Sequence, residues 1–334
     1  MPISKNALST LTSATAEIMQ SEWDIIKNIK ERVGVRPSQD SPIFGIGDDC
    51  AVYRISEGRY GLFSTDISIE NVHFDLRYTS FHDAGYRSMS ANISDIYAMG
   101  GTPVLALVAL GLPSSMTQTD VDEIYRGILA SSSNHQTFIA GGDISASDKL
   151  VISISIYGET TMPVYRSGAK PGDYIYLTGK PGLSKLGLEL LQSGKDAGRY
   201  PLSIKKHLTP DPRGGITAGI TKEFAPSAMI DISDGLISDI RHVCEESGTG
   251  FIIDTDLIPA PEEVRVFCRG EMNKVLDYSL YSGEEYELLF TSSKPESGHD
   301  EITLIGRITE TGYFLKTGDS SEEIVIAGYD HFQR

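Results

Sequence analysis

Five short segments of this 334-residue chain set aspartate beside glycine, serine or threonine: Gly47-Asp48-Asp49, Ser64-Thr65-Asp66, Ser94-Asp95, Gly141-Gly142-Asp143 and Asp231-Ile232-Ser233-Asp234-Gly235. Taken singly, each is an ordinary turn, because Asp and Gly are the commonest turn residues. Taken together, they read as the acids of one polynuclear metal centre, and that reading demands a fold able to carry five distant segments to one place. The stretch Phe44-Gly45-Ile46-Gly47-Asp48-Asp49-Cys50-Ala51-Val52 shows the local logic. Its glycines let the backbone bend sharply and present both carboxylates to one point, and an apolar run then fixes the loop to a strand.

The chain between these segments alternates strand-like and helix-like runs. Ser21 and Asp24 form a capping pattern, and Ile25, Ile26, Ile29 and Val33 recur at helical spacing until Gly34 and Pro37 stop the helix. Strands are expected near Ala51 to Ile55 and from Tyr60 to Thr65, which sets Asp66 at a strand's carboxyl end. His82 to Met99 reads as a helix on which Ser88, Ala91, Asp95 and Ala98 share a face of small residues, open to other backbone. A strand (Val104 to Leu110), a helix (Thr119 to Ser133) and a strand (Thr137 to Ala140) follow, the last setting Asp143 at another strand end. Leu150 to Tyr157 alternates apolar and polar residues with the period of a half-buried strand.

That strand stops near Glu159 to Pro163, and a Gly- and Pro-rich connection from Arg166 to Gly172 follows. We therefore expect a frayed lead-in over 1–20, an N-terminal α/β domain over 21–160 and a C-terminal α/β domain over 161–334, in keeping with a length beyond what one core usually organises. In the second half Tyr174 to Thr178 reads as a strand, with a turn at Gly179-Lys180-Pro181-Gly182 into a helix reaching about Gln192. That turn is no phosphate-binding P-loop, since it lacks the first glycine and has Pro181 where Ser or Thr would hold magnesium. Ala228 to Ile230 ends in Asp231, and Asp234 stands as the N-cap of a helix from Leu236 to Cys244. Ser282 to Phe290 reads as a loop entering a strand, with further strands at Ile302 to Ile308 and Tyr313 to Lys316.

Composition narrows the class. The formal charge of −17, from 29 Lys+Arg against 46 Asp+Glu, argues against a nucleic-acid surface and implies that an anionic substrate arrives with neutralising metal ions. Three cysteines (Cys50, Cys244, Cys268), with no Cys-x-x-Cys spacing, fit buried thiols in a reducing compartment better than disulfides or zinc. No apolar run reaches the ~18 residues of a membrane span, and the N-terminus lacks the apolar core of a secretory signal. These features place the protein in the cytoplasm.

Carboxylates with hydroxyls such as Thr65 and Ser233, and no His/Cys cluster, select a hard cation, magnesium before zinc. Several such ions are what phosphoryl transfer needs to neutralise charge on the transferring group and the leaving oxygen. From the residues alone the chain reads as a magnesium-dependent, phosphate-handling enzyme.

A resemblance sharpens this. Gly47-Asp48-Asp49, Ser64-Thr65-Asp66 with His73-Phe74, Asn92-Ile93-Ser94-Asp95 with Met99-Gly100-Gly101, Gly141-Gly142-Asp143, Arg166-Ser167-Gly168-Ala169 with Pro171-Gly172-Asp173, Asp231 to Leu236 and Gly283 to Leu289 occur in this order. Together they resemble the thiamine-monophosphate kinases, relatives of aminoimidazole-ribonucleotide and selenophosphate synthetases. The resemblance implies an aminoimidazole-ribonucleotide-synthetase-like fold of two α/β domains, with the N-terminal sheets paired in a homodimer, and direct transfer of phosphate from ATP to thiamine monophosphate. Carried over by position, Asp48, Thr65, Asp66, Asp95, Asp143, Asp231 and Asp234 would ligate several Mg2+ ions. Gly142, Asp143, Arg166 and Ser233 would hold ATP, and His73, Glu285 and an aromatic at Tyr329 or Phe332 would contact thiamine monophosphate. The roles of Asp49 and Glu284 stay open. This chain has Gly283-Glu284-Glu285-Tyr286-Glu287-Leu288 where the family pattern usually reads Gly-Glu-Asp-Tyr-Glu-Leu.

Two other readings stand beside it. One is a sibling ATP-dependent synthetase on the same chassis, its selenophosphate branch disfavoured because no cysteine precedes Cys50. The other is a haloacid-dehalogenase-type phosphatase built on Asp254 and Asp256 of the run Phe251 to Asp256, which would pass through an aspartyl-phosphate. A calcium-binding protein is disfavoured, since no Asp-rich loop has regular 12-residue ligand spacing.

Overall fold

The computed structural model describes residues 22–33, 43–195, 197–295 and 299–324. The first half runs α1 (Glu22–Val33), β1 (Ile43–Phe44), β2 (Ala51–Ser56), β3 (Arg59–Ile69), α2 (Phe81–Ala98), β4 (Thr102–Leu112), α3 (Gln118–Asn134), β5 (Phe138–Ala146) and β6 (Val151–Thr160). Its strands form a six-stranded sheet ordered β1-β2-β3-β6-β4-β5, antiparallel except for the parallel pair β4 and β5. The second half runs β7 (Tyr174–Thr178), α4 (Leu183–Ser193), α5 (Pro201–Leu208), α6 (Gly214–Glu223), β8 (Ala228–Asp231), α7 (Leu236–Ser247), β9 (Gly250–Asp254), α8 (Glu262–Phe267), α9 (Met272–Tyr281), β10 (Leu288–Ser292), β11 (Ile302–Thr309), β12 (Tyr313–Thr317) and β13 (Ser320–Glu323). Its seven-stranded sheet is ordered β13-β12-β9-β11-β7-β10-β8.

Alternation along each strand decides which face is dry. On β6, Ile152, Ile154 and Ile156 are buried, and on β4 Ala106, Val108 and Leu110 join them, so one sheet face closes on Met89, Ile93 and Ile96 of α2. The opposite face stays open. Phe63, Ile67 and Leu107 are 49%, 51% and 47% exposed, an apolar surface that one layer of helices does not reach.

Helix α2 sits at the centre of the molecule. Ser80 caps it, its hydroxyl accepting from the Asp83 amide. It packs against β3 and β6 on one side and reaches β8 of the second sheet on the other, and Ala98 enters the core of the second half with Tyr176 and Phe290. Its approach to α3 depends on glycine: a Cβ on Gly85 would stand 2.1 Å from the Ile124 carbonyl oxygen. Small polar residues buried among helices are therefore packing devices here as much as chemical ones.

Two expected strand ends prove to be strand interiors. β3 continues through Ile67 and Ile69, so Asp66 lies within the strand, on the same face as buried Ile154 rather than at a strand end. β5 likewise runs through Gly141-Gly142-Asp143, pairing Ala109 with Asp143. The glycines that suggested a turn instead let β5 lie close to β4, since a Cβ on Gly142 would meet the Val108 carbonyl oxygen at 1.7 Å.

Candidate active site at the seam between the sheets

Asp49, Asp95 and Asp231 each bring one carboxylate oxygen within 4.8 Å of the others. They come from three elements: the loop before β2, helix α2 and the carboxyl end of β8. Two are therefore from the first half and one from the second. Ser64 donates a short hydrogen bond to Asp95, and Ser94 donates one to Asp231 across the seam. Asp66 flanks the group from β3, its amide donating to Asn92 Oδ1 at 3.2 Å.

So many acids in one dry place hold protons tightly. Burial, then the charge of Asp49, raises the Asp66 carboxyl to about 6 and the Asp231 carboxyl to about 7. Asp95 is pushed well above the ordinary range by burial and by Asp66, Asp231 and Asp49. Asp48 rises to about 7 through burial and the neighbouring Asp49. One cation already present compensates in part: the Arg166 guanidinium bonds Asp49, while the Arg166 amide donates to Asp48 at 3.1 and 3.2 Å. Asp49 Oδ2 is nevertheless buried without a hydrogen-bond partner. A buried carboxylate oxygen without a donor, within 4.8 Å of two more carboxylates, fits a hard divalent cation.

Asp48, Asp66, Asp95 and Asp231 of the expected set thus gather here, and Asp49, whose role the sequence left open, joins them. Its signal was the Asp-Asp doublet; which of two adjacent acids turns inward is decided by the loop's path. Ser233 and the exposed Asp234 lie in the loop following Asp231. Asp234 is not the cap expected of it. Gly235, at φ +116°, occupies that position with no side-chain cap, and its amide donates to Asp239 Oδ2 at 3.1 Å from one turn into α7.

Thr65, Gly142 and Asp143 stand apart from the cluster within one protomer. Thr65 points to the open face of the first sheet, where its hydroxyl meets Ser155 Oγ at 3.0 Å, and Asp143 is exposed on edge strand β5. His73 sits in the turn after β3, accepting from the Ile69 amide at 3.0 Å, close enough to add to the field on Glu284. Glu285 is fully buried, its Oε1 accepting from the Gly182 amide (2.7 Å), the Ser184 amide (3.0 Å) and the Ser282 hydroxyl (2.6 Å) at the start of α4. The neighbouring Glu284 is the one at the seam, bonded to Arg87 of α2. Tyr329 and Phe332 lie outside the described residues. Asp254 and Asp256 are remote from the cluster: Asp254 accepts from Lys316 at 2.8 Å and from the Asp256 amide at 3.2 Å, which ends a strand rather than forming a nucleophile.

Residues 47–160 match the AIR synthase related protein N-terminal domain and residues 170–314 its C-terminal domain. The two sheets, with acids from both meeting at the seam, define a two-domain protein of the AIR-synthase-related class. The chain is 32% identical to the thiamine-monophosphate kinase of Bacillus subtilis (strain 168), across 93% of this chain and 99% of that protein. It is 35% identical to that of Escherichia coli (strain K12), across 93% and 98%. Among solved structures, AaThiL complexed with AMPPCP and TMP is similar at a TM-score of 0.82 and 32% identity, covering 93% of this chain and 97% of that one. Thiamine monophosphate kinase from Aquifex aeolicus is similar at a TM-score of 0.76 and 32% identity, covering 87% and 96%. The chain belongs to the thiamine-monophosphate kinase family.

Proposed function

We propose that this protein transfers the γ-phosphoryl group of ATP directly to the phosphate of thiamine monophosphate, giving thiamine diphosphate and ADP, with magnesium held by the carboxylates at the seam. The observation that carries the reading is the meeting of Asp49, Asp95 and Asp231 within 4.8 Å, in a chain whose family acts on a phosphate. Bound there, magnesium supplies positive charge to the transferring group and leaving oxygens. Asp49, Asp95 and Asp231 would hold it, with Asp48 and Asp66 flanking and Asp234 at the rim. Arg166 holds Asp49 and Asp48 in place by its guanidinium and amide, and Ser94 and Ser64 orient Asp231 and Asp95. No activated nucleophile is needed, because positioning and charge account for this class of transfer. Nucleotide contacts are assigned to Gly142, Asp143, Arg166 and Ser233, and an acceptor contact to His73, by family pattern; Glu285, fully buried against the start of α4, is better read as an anchor of its turn than as an acceptor contact.

We also propose a homodimer acting in the cytoplasm. The exposed apolar face bearing Phe63, Ile67 and Leu107 needs covering, and among the described residues β5 leaves a sheet edge unpaired beside it. Thr65 and Asp143 share that side, so a second copy would bring them company that one protomer lacks. The three cysteines are buried and unpaired, as a reducing compartment allows, and no helix among the described residues is long and apolar enough to cross a membrane. Incubation with ATP, Mg2+ and thiamine monophosphate should yield equimolar ADP and thiamine diphosphate. ADP release without thiamine diphosphate, or phosphate released from ATP alone, would refute the assignment.

A further inference from the structure

Charge crosses the seam in two directions. Asp49 of the first half binds Arg166 of the second, and Arg87 of the first binds Glu284 of the second. The former pair lies inside the carboxylate cluster. The latter lies outside it, yet its arginine is 4% exposed. Arg87 Nη1 also donates to His207 Nε2 at 3.2 Å, and His207 stands 3.4 Å from Ser184 Oγ and 3.7 Å from Glu284. A buried ion pair is weak support for stability, since apolar side chains of the same volume often do as well; what it specifies is the placement of the two surfaces it joins.

The surfaces joined are the ones that carry the cluster. Glu284 belongs to a turn held in an uncommon backbone conformation, with φ +54° at Glu284 and +49° at Tyr286. Three amides tie this turn to the loop after β8: Glu284 to the Ser233 carbonyl at 2.7 Å, and Glu285 and Tyr286 to the Ile232 carbonyl at 3.0 and 2.9 Å. That loop begins at Asp231. Arg87 itself is on α2, two turns before Ser94 and Asp95, and Ser94 donates back to Asp231. A closed circuit of polar contacts thus runs from α2 through Arg87 and Glu284, through the turn and its amides, to Asp231 and back to α2.

We propose that Arg87 is a positioning residue. By holding the 283–286 turn against α2 it sets the separation of Asp95 and Asp231, and with it the affinity of the cluster for its cation, while touching neither cation nor substrate. The kinetic part of this inference rests on the proposed function; the structural part does not.

The test compares Arg87→Gln, Glu284→Gln and the double variant in the full-length protein. Amide hydrogen exchange should quicken about tenfold or more at Glu284, Glu285 and Tyr286, with Leu177 and Phe290 in the sheet unchanged. Supporting residues around a metal site typically change its affinity by about 10–100-fold. Each single variant should therefore need at least about tenfold more Mg2+ for the same thermal shift and for half-maximal turnover, with kcat restored by saturating Mg2+. The double variant should be no worse than either single, as for one shared interaction. Unchanged Mg2+ dependence in both singles, effects that multiply in the double, or a lowered kcat that saturating Mg2+ fails to restore would each overturn the proposal. Should Arg87→Gln not fold, Glu284→Gln decides alone, its side chain being 35% exposed and its shape conserved. If the wild type makes no thiamine diphosphate, the functional reading falls, and exchange and thermal shift still settle the role of Arg87.

Discussion

Asp231→Asn should make the metal-free protein more stable at neutral pH while abolishing its response to magnesium. The Asp231 carboxyl keeps its proton up to about pH 7 in the folded state, because burial and the nearby charge of Asp49 oppose ionisation, against 3.8 for an ordinary Asp. Between those values the folded state binds more protons than the unfolded chain, so stability falls as pH rises from about 4 to about 7. At roughly 1.4 kcal/mol per unit over about three units, the loss approaches 4 kcal/mol. The geometry supports the scale independently: two unit charges 4.8 Å apart repel by roughly 3–4 kcal/mol at an effective dielectric constant of about 20. Asparagine keeps the shape and can still accept from Ser94, but carries no charge. In EDTA, thermal unfolding of wild type and Asp231→Asn should coincide near pH 4 and diverge upward through pH 8, the variant melting higher by several degrees at about 2–4 °C per kcal/mol. Adding Mg2+ at about 100 times its dissociation constant should stabilise the wild type by about 2.7 kcal/mol and leave the variant unmoved. A variant that melts lower than wild type at every pH, or that keeps the full magnesium shift, would refute the reasoning.

His207→Gln should act with the opposite sign. Burial, helped by the Arg87 charge, pushes the His207 imidazole down to about 4 from 6.5, so wild-type stability is whole above about pH 6.5 and is lost as pH falls toward 4. The loss approaches about 3 kcal/mol; subtracting the two denaturation profiles between pH 4 and 8 should show it, and a flat difference would exclude it. Ile67→Lys places a charge on a side chain already 51% exposed in one protomer, so it should leave the fold intact and shift sedimentation from dimer to monomer at micromolar concentration; an unchanged dimer would place the interface elsewhere. Asp254→Asn removes one partner of an ion pair with Lys316 whose lysine side chain is 43% exposed and should cost at most about 1 kcal/mol. Its turnover should stay within about twofold of wild type under the direct transfer proposed above, and trapping of a phospho-aspartate in wild type would contradict that.

Much of the architecture is legible in one dimension because it follows from short-range rules. The period-two alternation of Leu150 to Tyr157, the small-residue face of α2 and the apolar run ending at Asp231 each depend only on neighbours in sequence, and each forms as read. The acid-rich motifs suggest a hard-cation site through residue type alone, and Asp49, Asp95 and Asp231 of them meet within 4.8 Å. Tertiary structure decided the rest. Whether Asp66 and Asp143 end their strands depends on cross-strand partners tens of residues away: Ser153 to Ser155 for β3, and Ala109 for β5. Which acid of the Asp48-Asp49 doublet joins Asp95 and Asp231 is decided by the path of its loop, held at both acids by Arg166, more than a hundred positions downstream. Glu284 and Glu285 are adjacent and alike in charge, yet one crosses the seam to Arg87 and the other closes on the start of α4. A sequence specifies which charges must be neutralised; only the folded chain brings each to the partner that neutralises it, because a buried carboxylate is tolerable only where a cation, a donor or a proton waits.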